Sequence, residues 1–447
     1  MRSMLLLLLA VATLHCSHEP MPAQAQQAAG EIVFTNVNVL PMDSERVLAD
    51  QTVVVRGDRI VAIGPAGETA VPGGAQVIDG RGKYLMPGLA EMHGHIPPPS
   101  DPQAYTDAVL FMYVANGITT VRGMLGHDGQ LEIKRKANAG EIVAPTLYLA
   151  GPSFSGGSIN SPGEAEARVR QQKMEGWDLL KVHPGLTLEE YDAMAETARE
   201  VGIRFGGHVP DAVGLAHAIE MGQETFDHLD GYTIFMDGTS QPVSDEALAE
   251  AAQLTVDSGA WVIPTMVLWE VLYGTIDLET MRSLPELTYM PPAMVASWIS
   301  THEQRLADAN RNAEAAEHHI ANRMKLLAAL NDAGARILMG TDAPQQFSVP
   351  GFSLHNELER MAEAGMSPYE IYRTGTASVG DYFADQDTFG RIALGQRADL
   401  VLVNQNPMDT VRHIRDRAGV MVRGVWLSEE AIQQELAEIE RTVGSGS

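Results

Sequence analysis

Two histidines one residue apart, His93 and His95, close the run Met86-Pro-Gly-Leu-Ala-Glu-Met-His-Gly-His95. Side chains alternate faces along a strand, so the two imidazoles point the same way, about 6–7 Å apart along the backbone. One metal ion can sit between rings at that separation. Such a pair is weak evidence alone, but here Lys181, His208, His228 and Asp342 follow, each at the end of an apolar, strand-like run. Four neutral imidazoles suit zinc or a similar divalent ion. Lys181 cannot ligate a metal as an ammonium. Reaction with carbon dioxide would turn it into a carbamate, an anionic group whose two oxygens can bridge two ions. Asp342, in Gly340-Thr-Asp342, can both touch a metal and accept a proton. The six groups together offer too many ligands for one tetrahedral ion.

Residues this far apart in sequence need a scaffold that brings several strand ends together. Apolar β-rich runs alternate with helical stretches: Leu85–Met92, Thr119–Arg122, Thr146–Ala150, Leu179–Val182, Ile203–His208, Thr225–His228, Trp261–Pro264 and Ala335–Thr341. Leu188–Val201, Ala212–Met221, Asp245–Ser258 and His302–Ala333 read as helices between them. Eight strands with intervening helices argue for an α/β fold, a (β/α)8 TIM barrel with its chemistry at the strands' C-terminal ends. The long connection Met266–Ser300 carries Trp269, Tyr273, Tyr289 and Trp298 and is expected to cap the mouth.

Flanking this α/β segment, Glu31–Leu40 alternates as a strand and Thr52–Ile63 reads as two strands around a Gly-Asp turn. Ala75–Lys83 reads as a further hairpin, and Gly390–Val403 and Gly419–Trp426 supply the missing strands from the other end of the chain. The expected organisation is a small β-sandwich domain from residues 31–86 plus 389–427, with a barrel of residues 87–388 inserted in it. A C-terminal helix and tail, 428–447, follow.

The first 25 residues read as an export signal: a basic Met1-Arg2, an apolar Leu5–Val11 too short to span a bilayer, and a small-x-small Ala23-Gln24-Ala25. Cys16 is an alternative, lipoprotein-type processing point, with His15 a poor match before it. The expected location is the bacterial periplasm or the exterior. Cys16 is the single cysteine, so no disulfide forms within the chain. Acidic residues number 58 against 31 basic, a net charge of −27, which disfavours nucleic acid as a partner. No later stretch is long and apolar enough to cross a membrane. A small molecule is the expected substrate, and a homo-oligomer stays open.

In this order and context the residues carry a resemblance to the amidohydrolase superfamily, close to its imidazolonepropionase-like and prolidase-like groups. The resemblance covers nearly all of the chain after the signal. It implies that His93 and His95 bind the more buried of two divalent metals, with zinc the expected ion. It further implies that Lys181, in Trp177-Asp-Leu-Leu-Lys-Val182, is the carboxylated bridge, and that His208 and His228 hold the second metal. Asp342 is implied as general acid/base, serving attack of a metal-bound hydroxide on an amide or peptide-like C–N bond. Two positions depart from the family pattern: Glu91 replaces an aspartate, and Val-Pro follows His208.

Candidate substrate contacts are His183, which should face the same way as Lys181, together with Arg122, His127 and His355. Arg122 could equally form a structural salt bridge, and Lys181 could be a buried lysine paired with an acid. In that case the site would be mononuclear, as for an imidazolonepropionase-like cyclic amidase. An esterase or lactonase using the same centre, and an exported metal-binding scaffold, are the other readings.

Overall fold

A computed structural model of the chain describes residues 30–445. The signal segment and Cys16 lie outside the described residues. The first strand, β1 (Glu31–Val39), pairs antiparallel with β2 (Leu48–Arg56), which turns through Gly57-Asp58 into β3 (Arg59–Pro65). Gly57 supplies the positive φ (57°) that a two-residue hairpin turn requires. The other side of β1 takes two strands end to end, both parallel to it: β4 (Gln76–Asp79) and β5 (Tyr84–Pro87). The expected hairpin over Ala75–Lys83 is therefore not formed. The Gly80–Lys83 turn carries the chain on in the same direction, and the Gly80 amide bonds Thr35 of β1.

The α/β segment follows with the parallel strands β6 (Leu89–Gly94), β7 (Ile118–Gly123), β8 (Thr146–Leu149), β9 (Leu179–Val182), β10 (Arg204–Gly207), β11 (Thr225–Asp227), β12 (Trp261–Ile263) and β13 (Arg336–Ile337). They form a three-stranded sheet, β6-β7-β8, and a five-stranded sheet, β13-β12-β11-β10-β9. Backbone bonds link the two at both edges. On one side Gly151 N–H bonds Leu179 and Phe154 N–H bonds Lys181; on the other Met92 N–H bonds Met339 and Asp342 N–H bonds His93. β6 to β9 are buried along their whole length, as parallel strands covered by helices must be.

Helices start and stop where the local chemistry dictates. Thr187 and Glu190 form a reciprocal capping box for Leu188–Val201, while Ser161 and Ser244 cap Pro162–Glu175 and Asp245–Ser258. Gly176, Gly202 and Gly259 close these helices in the left-handed conformation. The single helix expected over His302–Ala333 is instead two, Pro292–Ala307 and Ala313–Asp332. Asp308 bonds the Asn310 amide and Asn312 caps the second helix, so short polar side chains take the backbone bonds a continuous helix would need. The connection 266–300 is itself helical: three short pieces, Met266–Leu272, Leu278–Arg282 and Pro285–Tyr289, lead into the helix Pro292–Ala307.

After it the chain returns to the first sheet. β14 (Leu400–Val403) pairs antiparallel with β5, and β15 (Arg417–Val422) and β16 (Val425–Ser428) extend outward, giving the order β16-β15-β14-β5-β1-β2-β3 with β4 also on β1. Phe34, Val37, Val53, Leu85, Leu400 and Met421, from both ends of the chain, share one apolar core. Among the described residues no helix is long and apolar enough to cross a membrane.

Candidate metal centre

His93, His95, Lys181, His208, His228 and Asp342 each sit at the C-terminal end of a parallel strand or in the segment after it. Two glycines make this convergence possible. A Cβ on Gly207 would lie 2.5 Å from the Val182 carbonyl, and one on Gly340 would lie 2.6 Å from Ile263 and 3.0 Å from the His93 amide. Larger residues there would push β10 off β9 and the segment after β13 off β6.

Five imidazoles run in a chain across the strand ends. Ring centroids are 5.7 Å apart for His95 and His93, 4.3 Å for His93 and His228, 4.5 Å for His228 and His208, and 4.9 Å for His208 and His183. Asp342 reaches in beside them: its Oδ1 lies 2.5 Å from His95 Nε2 and 3.7 Å from His93 Nε2, and its Oδ2 3.7 Å from His228 Nε2. One ligand atom each of His93, His95 and Asp342 falls within 4.8 Å of the others. Lys181 Nζ sits 3.0 Å from His93 Nε2, fully buried. Among the described residues no carboxylate lies within ion-pair distance of it. Of the readings left open by the sequence, the lysine in a direct ion pair is not formed among the described residues; the Asp227, Asp342 and Asp230 carboxylates act on Lys181 from longer range.

Outer partners turn the imidazoles. His228 Nδ1 faces Thr265 Oγ1 at 2.8 Å and His208 Nδ1 faces Asp230 Oδ2 at 2.6 Å, leaving each Nε2 for the centre. His93 Nδ1 lies 2.7 Å from Asp227 Oδ2, off the line of a hydrogen bond. Arg323 donates to the His228 carbonyl, lies 3.6 Å from Asp230 and stacks 3.9 Å over Trp269 of the long connection. Glu91 does not face the ions' place. Its carboxylate accepts from the amides of His93 and Thr341 and from the Thr341 hydroxyl, tying β6 to the segment after β13. Burial pushes the Glu91 carboxyl up to about 7.

The electrostatics favour the ligand form of the imidazoles. Burial, then the neighbouring cations, hold His93 and His228 well below the usual imidazole range, so both stay neutral near pH 7. Burial also pulls the Lys181 amine down to about 8. Asp227 is pushed up by burial, but the Arg122 and Lys181 charges win and hold it below the ordinary carboxylate range. The backbone is left-handed at His228 (φ 66°), Thr265 (φ 46°) and Asp342 (φ 65°), conformations that cost non-glycine residues about 1–3 kcal/mol each and cluster at functional sites.

These residues fit a divalent ion on one further observation. His228 Nε2 is buried with no hydrogen-bond partner among the described residues, an arrangement that costs about 1–3 kcal/mol unless something binds the lone pair.

The substrate-contact candidates fare differently. His183 joins the imidazole chain and His127 lines a cavity shared with His95. Arg122 does not reach the mouth: fully buried, it donates to Asp227 at 2.9 Å, to the Met92 carbonyl at 2.7 Å and to Thr225, so the salt-bridge alternative holds. His355 is buried on helix Phe352–Glu363 and contacts Asn116 at 3.0 Å, because that face of the helix packs inward. Asp227, Asp230, Thr265 and Arg323 were not singled out in the sequence. The acids flanking His228 in Phe226-Asp-His-Leu-Asp230 were a usable signal; Thr265 and Arg323 gave none.

The amidohydrolase family model matches residues 84–427. Adenine deaminase 2 of Bradyrhizobium sp. (strain ORS 278) is 25% identical over 393 residues, covering 85% of this chain and 55% of the deaminase. The chain thus spans about half the length of the adenine deaminases that it matches. Imidazolonepropionase of Rubrobacter xylanophilus is 27% identical over 397 residues, covering 80% of this chain and 85% of that enzyme. The crystal structure of a Xaa-Pro dipeptidase with methionine bound in its active site superposes with a TM-score of 0.67 at 20% identity, over 89% of this chain and 100% of the other.

Proposed function

The chain belongs to the amidohydrolase family, and we propose that it is an exported hydrolase of carbon–nitrogen bonds in a small amide or peptide-like substrate, working with two divalent ions, zinc by preference. His93 and His95 would hold one ion, His208 and His228 the other, Lys181 as its carbamate would bridge them, and Asp342 would contact the first. When bound, such ions lower the pKa of a water and polarise a carbonyl. Asp342 Oδ2, 3.7 Å from His228 Nε2, is the atom that would take the nucleophile's proton and return it to the leaving nitrogen. Asp227, Thr265 and Asp230 keep the ring nitrogens of His93, His228 and His208 aimed at the centre.

One observation carries the dinuclear reading. Lys181 is fully buried with no carboxylate within ion-pair distance among the described residues, and lies 3.0 Å from the inward nitrogen of His93. A lone buried ammonium is costly, whereas a neutral amine can react with carbon dioxide. The scaffold belongs to the same proposal: the two parallel sheets, bonded at both edges, act as one closed (β/α)8 barrel of residues 87–388, set into a β-sandwich of 31–86 plus 389–427. Metal analysis and parallel assays on amides and on esters or lactones, with and without chelator, test it. Two ions per chain and chelator-sensitive amide turnover are expected. A single ion unchanged by added zinc and bicarbonate would remove the bridge.

A further inference from the structure

Beside His95 the strand ends open into a cavity of about 250 Å³. We propose, resting on the hydrolase reading above, that this cavity receives one of the two groups flanking the scissile bond, and that the group is an apolar chain or ring bearing no negative charge. Position is the first argument. The walls come from segments after three different parallel strands, Ile96 after β6, Leu125 and His127 after β7, and Gln345 after β13, closed by Met294 of helix Pro292–Ala307. His95, whose Nε2 touches Asp342 Oδ1, is one of the lining residues, so a group lodged here lies beside the carboxylate assigned to proton transfer. Size is the second. The space exceeds the roughly 150 Å³ that admits a benzene ring, so a phenyl or branched aliphatic group fits.

Chemistry is the third argument. Ile96, Leu125 and Met294 give apolar contact, and methionine adapts its shape to an irregular guest. Met294 is held in place, its Sδ 3.4 Å from the Tyr105 hydroxyl. Asp101 and Gln345 make no side-chain hydrogen bond among the described residues, which leaves both for a ligand. Among the described residues Asp101 is the one carboxylate lining the cavity, and no Lys or Arg lines it. A hydroxyl, amide or ammonium at the far end of the guest, away from His95, would find a partner; a carboxylate there would meet Asp101 with no Lys or Arg among the lining residues to offset the repulsion.

The test uses the zinc-loaded full chain and a ladder of hydroxamates, whose head binds metal while the tail probes the cavity. Calorimetric Kd should fall about fourfold per added methylene from acetohydroxamate to hexanohydroxamate. The monohydroxamate of succinic acid should bind at least tenfold more weakly than butanohydroxamate. Leu125→Trp and Met294→Trp, each filling the cavity from a different element, should each flatten the ladder. Equal affinity for short and long tails in the unaltered protein would overturn the proposal, as would tight binding of the acidic tail or a ladder that persists in a folded variant. The ladder in the unaltered protein decides the matter even where neither variant folds. Failure of acetohydroxamate itself to bind would overturn the metal-hydrolase reading and this one with it, whereas a flat ladder overturns the cavity's role alone.

Discussion

Replacing Asp227 separates what stabilises the fold from what holds a metal, because its carboxylate serves both. It is fully buried, with Oδ1 and Oδ2 3.1 and 2.9 Å from Arg122 Nη2 and Oδ2 also 2.7 Å from His93 Nδ1. Asp227→Asn keeps the shape and one acceptor but strands the Arg122 charge in the interior. Breaking one side of a buried pair costs about 3–5 kcal/mol, and the retained amide oxygen puts the expected loss near the lower end. That is a large share of the ~5–15 kcal/mol that keeps a domain folded. Loss of the carboxylate beside His93 should separately weaken metal affinity about 10–100-fold. The paired change Arg122→Met with Asp227→Leu removes the stranded charge, so it should recover most of the stability yet none of the affinity. Urea unfolding of the metal-free protein reads the first quantity and zinc competition with a chelator the second. A paired variant that regains wild-type zinc affinity would show that Asp227 does not support His93. Wild-type stability in Asp227→Asn would show that the pair with Arg122 contributes nothing.

Asp342→Asn should lower kcat about 10²–10⁴-fold with the fold intact; near-normal turnover would move proton transfer elsewhere, with His183 the next candidate. Lys181→Ala should drop metal content from two ions toward one, and a short carboxylic acid added in solution should restore part of the activity by replacing the carbamate's oxygens. No rescue and unchanged metal content would make the centre mononuclear. Arg323→Met should weaken the ion assigned to His208 and His228 about 10–100-fold while sparing the other, since it leaves Asp230 and the His228 carbonyl without their cation. The metal-free protein should be most stable near pH 6.5 within the window 4.5 to 8. Burial holds His183 and His355 down at about 3 and His319 at about 4, so their contribution is complete above 6.5 and lost as pH falls toward those values. Glu91 and Glu357, raised by burial to about 7 and 8, act oppositely, and their contribution is lost as pH rises through those values. Thermal midpoints rising steadily to pH 8 would contradict this balance.

The alternation of apolar strand runs with helical stretches was legible in the sequence, as were the groups at the run ends, because each signal is local. His93-Gly-His95 and Gly340-Thr-Asp342 announce themselves by chemistry beside a short apolar run, and Thr187 with Glu190 announces a helix start. Local signals also misled. The segment 308–312 read as helix until its short polar side chains took the backbone bonds, and 75–83 read as a hairpin because alternation does not reveal which neighbour a strand will choose.

The sequence by itself therefore determined which residue types were available and on which strand each would ride. It could not say which polar side chains would face the centre, because facing depends on packing between elements far apart in the chain. Arg122 and His355 looked like substrate contacts, but tertiary burial turned Arg122 onto Asp227 and His355 onto Asn116. Arg323, within a helix nearly a hundred residues beyond His228, became a neighbour of its carbonyl for the same reason. Tertiary structure alone decided that Lys181 sits beside an imidazole with no carboxylate within ion-pair distance among the described residues, since only the three-dimensional arrangement sets the distance between a buried charge and the nearest opposite one.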